Sequence, residues 1–277
     1  MSKFENYTKT SGSYDKTRLP AGVEIILGAL AKQDSPFDQL TLLDAGCGTG
    51  NYSQVLLPRV GHIKAVDLNQ GMLDIAAEKL KAYVDQGKIQ FHQASIDALP
   101  FENQSFDAII INQVLHHLDS NPDEDFSACR RVFKEFHRVL RPNGQLIINT
   151  SSQEQVKNGY WFYHLIPEAV EKLCRRYQPL ETLDRLLSES GFHLNGRFSA
   201  LDAMCRGAAY FDKRGPLDQE WRDGDSTFAL VTDEELIRVM EEVKGMDADG
   251  TLAAYVETHD RERKHIGQTT FIVAARN

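Results

Sequence analysis

Basic residues are outnumbered in this 277-residue chain: 31 Lys and Arg stand against 40 Asp and Glu, a formal charge of −9. A surface of that sign repels a phosphate backbone, so nucleic acid is not an expected partner. The densest basic stretches, 129–138 and 261–264, fit solvated helix faces. Cysteine is sparse as well. Cys47, Cys129, Cys174 and Cys205 lie far apart and form no CxxC pair, which argues against a disulfide framework or a thiolate metal site. HExxH is missing and the histidines are otherwise scattered, so no metal is expected. No window approaches the roughly 18 apolar residues of a membrane span. The opening MSKFENYTKT lacks the basic-then-apolar pattern of a signal peptide. These absences describe a cytoplasmic, reduced chain with no membrane partner.

Repeats and low-complexity tracts are also lacking, and what remains is an alternation. Short β-like runs at 41–46, 62–69, 89–95, 106–112 and 144–151 are separated mostly by helical patterns. The stretch 72–84 carries Leu73, Ala76, Ala77 and Leu80 at helical spacing. In 125–140 the stripe runs from Phe126 through Cys129, Val132, Phe133 and Phe136 to Val139 and Leu140. This helix is expected to stop at Pro142 and Gly144, before the fifth strand. Strands alternating with helices predict an α/β fold: a Rossmann-like, mostly parallel sheet with helices on both faces. A sixth strand near 193–204 and a last one at 268–277 make seven. The roughly sixty residues between them are too long for a plain connection and suggest an insertion. Within it, Thr232 and Glu235 have capping-box spacing ahead of Leu236, Val239, Met240 and Val243.

Ligands of such sheets bind beyond the carboxyl ends of the strands, which directs attention to LLDAGCGTGNYS at 42–53. Gly46, Gly48 and Gly50 follow an apolar strand, where glycine lets a ligand approach the main chain. No Lys follows Gly50, so a P-loop is excluded. A dinucleotide fingerprint would need glycine where Asn51 stands. Asp44 ends the strand and would repel a pyrophosphate, but it suits a nucleoside bearing a cationic or amino-acid part. Asp67 ends the second strand 21 residues after Gly46, placed to accept both ribose hydroxyls.

LLDAGCGTGNYS, AVDLNQGML, ASIDALPFENQSFDAIIINQVLHHL and EFHRVLRPNGQLIINTSS occur in this order. Together they resemble the class I S-adenosylmethionine-dependent methyltransferases. The small-molecule type, methyltransferase type 11, which includes the ubiquinone and menaquinone biosynthesis enzymes, is the nearest likeness. The resemblance spans about 40–152, with a looser continuation at 183–192 and in the final strand. It implies S-adenosyl-L-methionine as cofactor and S-adenosyl-L-homocysteine as product. Asp44, Gly46, Cys47, Gly48 and Gly50 would line the methionine part, and Asp67 would hold the ribose. Leu68 and Met72 would flank the adenine. Where the family has an acid, this chain has Ser95, so Ser95, Asp97 or the main chain at Ile96 would meet the adenine edge. Asn112, Gln113 and Val114 would pass close to the sulfonium. N-terminal segments bearing Tyr and Arg precede the sheet in related enzymes, and here Tyr7, Tyr14 and Arg18 could form a gate, with Arg18 on the methionine carboxylate.

Methyl transfer needs alignment, exclusion of water and, for some acceptors, removal of a proton. His116 and His117 follow the fourth strand and are the candidate bases, at most one of them facing the cofactor. Cys47 has no basic neighbour in sequence and is read as a small filler, not a nucleophile. Tyr160, Trp161, Phe162 and Tyr163 are too many consecutive aromatics for one core face, and Tyr160, Trp161 and Tyr163 are assigned to the acceptor pocket. Tyr210 and Trp221, from a second aromatic loop, join them, as does Tyr7. Residues 205–265 hold fifteen acids against nine bases, so a cationic or amine-bearing acceptor and a merely solvated acidic surface both fit.

Four regions result: an N-terminal helical segment and gate (1–36), a methyltransferase core (37–204), a lid-like insertion (205–266) and a final core strand (267–277). The expected function is methyl transfer from S-adenosylmethionine to N, O, C or S of a small molecule. A nonenzymatic S-adenosylmethionine-binding protein, a protein methyltransferase and an NAD-dependent dehydrogenase are the alternatives. Sequence leaves the oligomeric state open.

Overall fold

The apolar runs assemble into a single open seven-stranded sheet in the computed structural model, which describes residues 19–118, 126–202 and 204–277. The strands are β1 (Thr41–Ala45), β2 (His62–Asp67), β3 (Ile89–Gln93), β4 (Phe106–Asn112), β5 (Leu140–Thr150), β6 (Phe192–Ser199) and β7 (Thr270–Arg276). Their order is β3-β2-β1-β4-β5-β7-β6, with β7 antiparallel to both neighbours and the remaining pairs parallel. The chain pairs β1 with β2 on one side and with β4 on the other. The carboxyl ends of β1 and β4 therefore border the crevice where strand order reverses, the ligand position of this architecture.

Side-chain alternation along the strands feeds two cores. Leu43, Ala45, Ile109 and Ile111 face the helices Ser127–Val139 and Leu180–Glu189. Leu42, Ala108 and Ile110 face the helices Val23–Leu30, Asn51–Leu56 and Gln70–Lys79. A third core joins residues 156–177 to the insertion: Trp161, Phe162, Tyr210, Trp221, Val239 and Val243 pack in one cluster. Among the described residues, no helix is long and apolar enough to cross a membrane.

Three local expectations are revised. The helical stretch 72–84 is two helices, Gln70–Lys79 and Lys81–Asp85, meeting at Leu80. Pro142 and Gly144 lie inside β5: Phe106 pairs with Leu140 and Ala108 with Gln145, so the intervening residues bulge, with Asn143 at φ 62°. Thr232 caps the helix Asp233–Asp249 through Glu235 N–H at 3.2 Å, but the Glu235 side chain does not return to close a box. Its Oε1 instead accepts the N–H of Glu168 at 3.0 Å, tying the insertion to the helix Pro167–Cys174.

Candidate functional site

The chain leaves β1 through a turn whose three glycines do different work. Gly46 has φ 77°, and a Cβ there would lie 2.5 Å from Val114 Cγ2. Gly50, at φ 79°, caps the helix Asn51–Leu56 with Leu80 and Ala76 against the space a Cβ would take. Both are therefore required by backbone and packing. Gly48, at φ 53°, alone faces open space. A cavity of about 100 Å³ lies there, lined by Asp44, Gly46, Cys47 and Gly48 from the β1 end and Asn112 and Gln113 from the β4 end. Gly50 and Val114 are not part of its lining; they shape the turn from behind.

Asp44 is buried, and the Ser53 hydroxyl donates to it at 2.7 Å. Burial pushes its pKa up to about 7 against the pull of that bond, and the nearby Asp67 charge adds to the rise. The carboxylate of Asp67 organises the turn from the second strand. Its Oδ2 accepts Gly48 N–H at 2.9 Å and its Oδ1 accepts Asn69 N–H at 2.8 Å. A carboxylate has about four lone-pair sites, so acceptor capacity remains for a ligand hydroxyl. Burial pushes the Cys47 thiol well up, with Asp44 and Asp67 adding to the effect, which suits a filler.

Met72 and Ile96 are buried beyond the second and third strands, whereas Leu68 is exposed. The Ser95 hydroxyl donates to Asp97, and that bond, with Arg131 at 3.5 Å, holds the Asp97 carboxyl below its usual range.

Gln113 connects this cavity to a second. It sits at φ 54°, a left-handed conformation that a non-glycine residue keeps only when its surroundings fix it. Its N–H donates to Asn149 O at 2.8 Å, its Nε2 approaches Asn149 Oδ1 at 3.3 Å, and its Oε1 accepts the Tyr177 hydroxyl at 3.2 Å. The inner cavity, of about 50 Å³, is lined by Gln113, His116, Tyr160, Tyr163, Tyr177 and Arg206, among others. Gln113 and Cys205 line both.

Of the two histidines, His116 is buried and stacked on Tyr177, with ring centroids 4.5 Å apart, and it lines the inner cavity. His117 is tilted against His116 and does not contribute to the lining. The aromatic run also divides. Tyr160 and Tyr163 line the cavity, whereas Trp161 and Tyr210 are fully buried in the third core, where Trp161 Nε1–H donates to Tyr210 O at 2.8 Å. Trp221 donates to Ala209 O at 2.8 Å and lies beneath the Arg206 guanidinium, outside the lining. Trp161, Tyr210 and Trp221 are therefore corrected to core positions: consecutive aromatics of the tight 3-10 turn Trp161–Leu165 are buried because the insertion, including Tyr210 and Trp221, packs over them. Tyr7, Tyr14 and Arg18 lie outside the described residues.

Several lining residues carried no signal in sequence. Tyr52 Oη accepts Asn149 Nδ2–H at 2.8 Å and donates to Ala21 O at 3.0 Å, which brings the start of the described chain against the outer cavity. Arg206, Asp225 and Thr227 come from the insertion. The acids of 205–265 do not converge on the site: Asp225 alone lines the inner cavity, and Arg206 stands 3.4 Å from it. The cavity thus gains no net negative charge from the insertion. Among the described residues no cluster of His, Cys, Asp and Glu could hold a metal ion.

Comparison with known proteins agrees with this geometry. Residues 43–148 match the family model of a methyltransferase domain. Over 114 residues the chain is 38% identical to a demethylmenaquinone methyltransferase of Lactobacillus johnsonii, covering 40% of this chain and 43% of that one. It is 26% identical over 173 residues to the ubiquinone/menaquinone biosynthesis C-methyltransferase UbiE of Klebsiella pneumoniae, covering 55% and 66%. The chain thus spans less than two thirds of the length of either relative. A crystal structure of an Anabaena variabilis protein, assigned to methyl transfer in an antibiotic biosynthesis pathway, superposes with TM-score 0.69 at 21% identity, covering 93% of this chain and 98% of that one. That likeness extends the shared fold over the insertion.

Proposed function

Taking the methyltransferase domain at residues 43–148 as premise, we propose that the chain transfers the methyl group of S-adenosyl-L-methionine to a small molecule, leaving S-adenosyl-L-homocysteine. The residues present fit that cofactor. The open face of Gly48 and the Asp44 carboxyl suit an amino-acid end, and Asp67 retains acceptor capacity for ribose. Met72 and Ile96 would enclose the adenine, with Leu68 covering its exposed side and Ser95 or Asp97 at its edge. Bound there, the cofactor supplies a methyl group on a sulfonium, an electrophile that needs no further activation.

What carries the reading is the position of Gln113. A residue in a strained conformation, held by Asn149 and Tyr177, forms the boundary between the cavity at the glycine turn and an inner cavity walled by aromatic side chains. Such a boundary is where donor and acceptor would meet in line, away from water. The enclosed cavity favours a small acceptor over a polypeptide. Residues 156–177 and 205–266 act together as its cover. Tyr160, Tyr163 and Tyr177 suit a ring-bearing acceptor, as do the relatives named for demethylmenaquinone and ubiquinone or menaquinone biosynthesis. His116 would remove a proton where the acceptor must lose one, a role supported by its position on the inner cavity; Tyr177 stacks on its ring and donates to Gln113 at the boundary.

The test is incubation with methyl-labelled S-adenosylmethionine and a panel of small quinols and hydroxyaromatic compounds. Label should appear in at least one panel member and be lost in Gln113→Ala. Saturable cofactor binding with no transfer to any compound would favour a nonenzymatic S-adenosylmethionine-binding role.

A further inference from the structure

Arg206 is a charged side chain at 3% exposure, on the wall of the inner cavity. Its guanidinium lies flat over Trp221, 3.9 Å from the ring centroid, and Nη2–H donates to Trp221 O at 2.5 Å. Its Nη1 stands 3.4 Å from Asp225 Oδ2 without the geometry of a hydrogen bond, and Nε–H finds no acceptor among the described residues. Asp225 is occupied elsewhere. Its Oδ1 accepts Thr227 N–H at 2.9 Å and the Tyr163 hydroxyl at 3.3 Å, and Tyr163 in turn sits 2.6 Å from the Thr227 hydroxyl. The carboxylate offsets the charge of Arg206 while leaving guanidinium N–H groups unsatisfied beside a cavity.

Buried donors without acceptors are costly, and a guanidinium satisfies a carboxylate or other oxyanion better than any other partner. We propose that the inner cavity takes an acceptor molecule bearing an anionic oxygen, a carboxylate in the simplest case, and that Arg206 Nε and Nη1 hold it. The inference rests on the methyl-transfer reading and names the substrate class of that site. Trp221 and Asp225 fix the guanidinium, and the rings of Tyr160 and Tyr177 flank the space in which the rest of the molecule lies. Arg206 so placed offers a cationic acceptor only donors, and the Asp225 carboxylate is already engaged by Thr227 N–H and the Tyr163 hydroxyl, so an anionic acceptor is favoured over a cationic one. Arg206 is a specificity residue here: it holds the far end of the acceptor and leaves the cofactor cavity, which it does not line, unchanged.

The probe is benzoate, titrated calorimetrically into protein saturated with S-adenosylhomocysteine, beside neutral benzamide and cationic benzylamine. Benzoate should bind at least tenfold tighter than benzamide, and benzylamine should not bind. Arg206→Met should abolish the preference for benzoate with S-adenosylhomocysteine affinity within twofold of wild type. Should that variant fail to fold, Asp225→Asn supplies the independent readout: it keeps Arg206, removes its counter-charge and should tighten benzoate binding severalfold. Absent benzoate binding, equal binding of the three probes, or an Asp225→Asn variant that leaves benzoate unaffected overturns the proposal. Loss of S-adenosylhomocysteine binding in the wild-type protein would instead overturn the methyl-transfer reading itself.

Discussion

The carboxylate of Asp67 accepts the main-chain N–H of Gly48 at 2.9 Å across the gap between β2 and the turn after β1. The acid that would meet a ribose therefore also sets the shape of the glycine turn. Its second oxygen holds Asn69 N–H, and Asn69 caps the helix Gln70–Lys79 by accepting from Met72 N–H. Asp67→Ala should weaken S-adenosylmethionine binding by one to two orders of magnitude, as expected when a charged acceptor worth roughly 1.5–3 kcal/mol is removed. Asp67→Asn should fall between, since one acceptor oxygen survives. Calorimetric titration checks both, and unchanged affinity in a folded Asp67→Ala protein would place the ribose elsewhere.

Asp44 predicts a pH dependence of stability with a definite sign. Its folded-state pKa of about 7 lies above the unfolded value of 3.8 because burial disfavours the charge. Its stabilising contribution is complete below about pH 3.8 and is lost as pH rises to about 7. Asp44→Asn removes that loss. Relative to wild type, the variant should gain stability across this window by at most roughly 4 kcal/mol and run parallel to it at higher pH. Denaturant melts from pH 4 to 8 measure the difference, and a gap independent of pH would contradict the burial argument.

The two histidines should separate cleanly. His116→Asn is expected to lower turnover by roughly 10²–10⁴ for an acceptor that must lose a proton, and to leave cofactor affinity unchanged. His117→Asn, outside the cavity lining, should retain activity within a fewfold of wild type. The split between kcat and KM distinguishes a base from a packing residue: only the His116 variant should lose kcat while KM stays near wild type.

The three glycines of the turn should also part company. Gly46→Ala drives a methyl into Val114, 2.5 Å from the new atom, and should cost about 1–3 kcal/mol of stability from overpacking besides the positive φ. Gly50→Ala meets Leu80 and Ala76 and should also destabilise. Gly48→Ala has room, so its stability loss should be limited to about 1–2 kcal/mol of left-handed strain while cofactor binding falls most. Thermal melts with and without S-adenosylhomocysteine rank the three.

The core of the fold was legible because local and global signals coincide along 41–150. Leu42 and Leu43, or Ile109 and Ile110, alternate between two buried faces, and polar residues stand at or next to the carboxyl ends of the first, second and fourth strands: Asp44, Asp67 and Asn112. The turn glycines were legible as a set but not individually, since packing of Val114 or Leu80 against a missing Cβ depends on elements distant in sequence. The acceptor side was the least legible. Trp161, Tyr210 and Trp221 looked like pocket residues because sequence does not show that 156–177 and the insertion share a core. Arg206 was hidden in an acidic stretch, and its importance arises only from burial against Trp221 and Asp225. The closed capping box at Ser152 and Gln155 went unread, whereas the one read at Thr232 and Glu235 lost its acid to Glu168 N–H.

The central claim is that the crevice between β1 and β4 holds S-adenosylmethionine, and calorimetric titration of the wild-type chain with S-adenosylmethionine, S-adenosylhomocysteine and NAD tests it most directly. Saturable binding of the first two, mutually competitive, with no heat from NAD, is the predicted result. Binding of NAD with none of the sulfonium compound or its product would contradict the cofactor assignment and every role built on it.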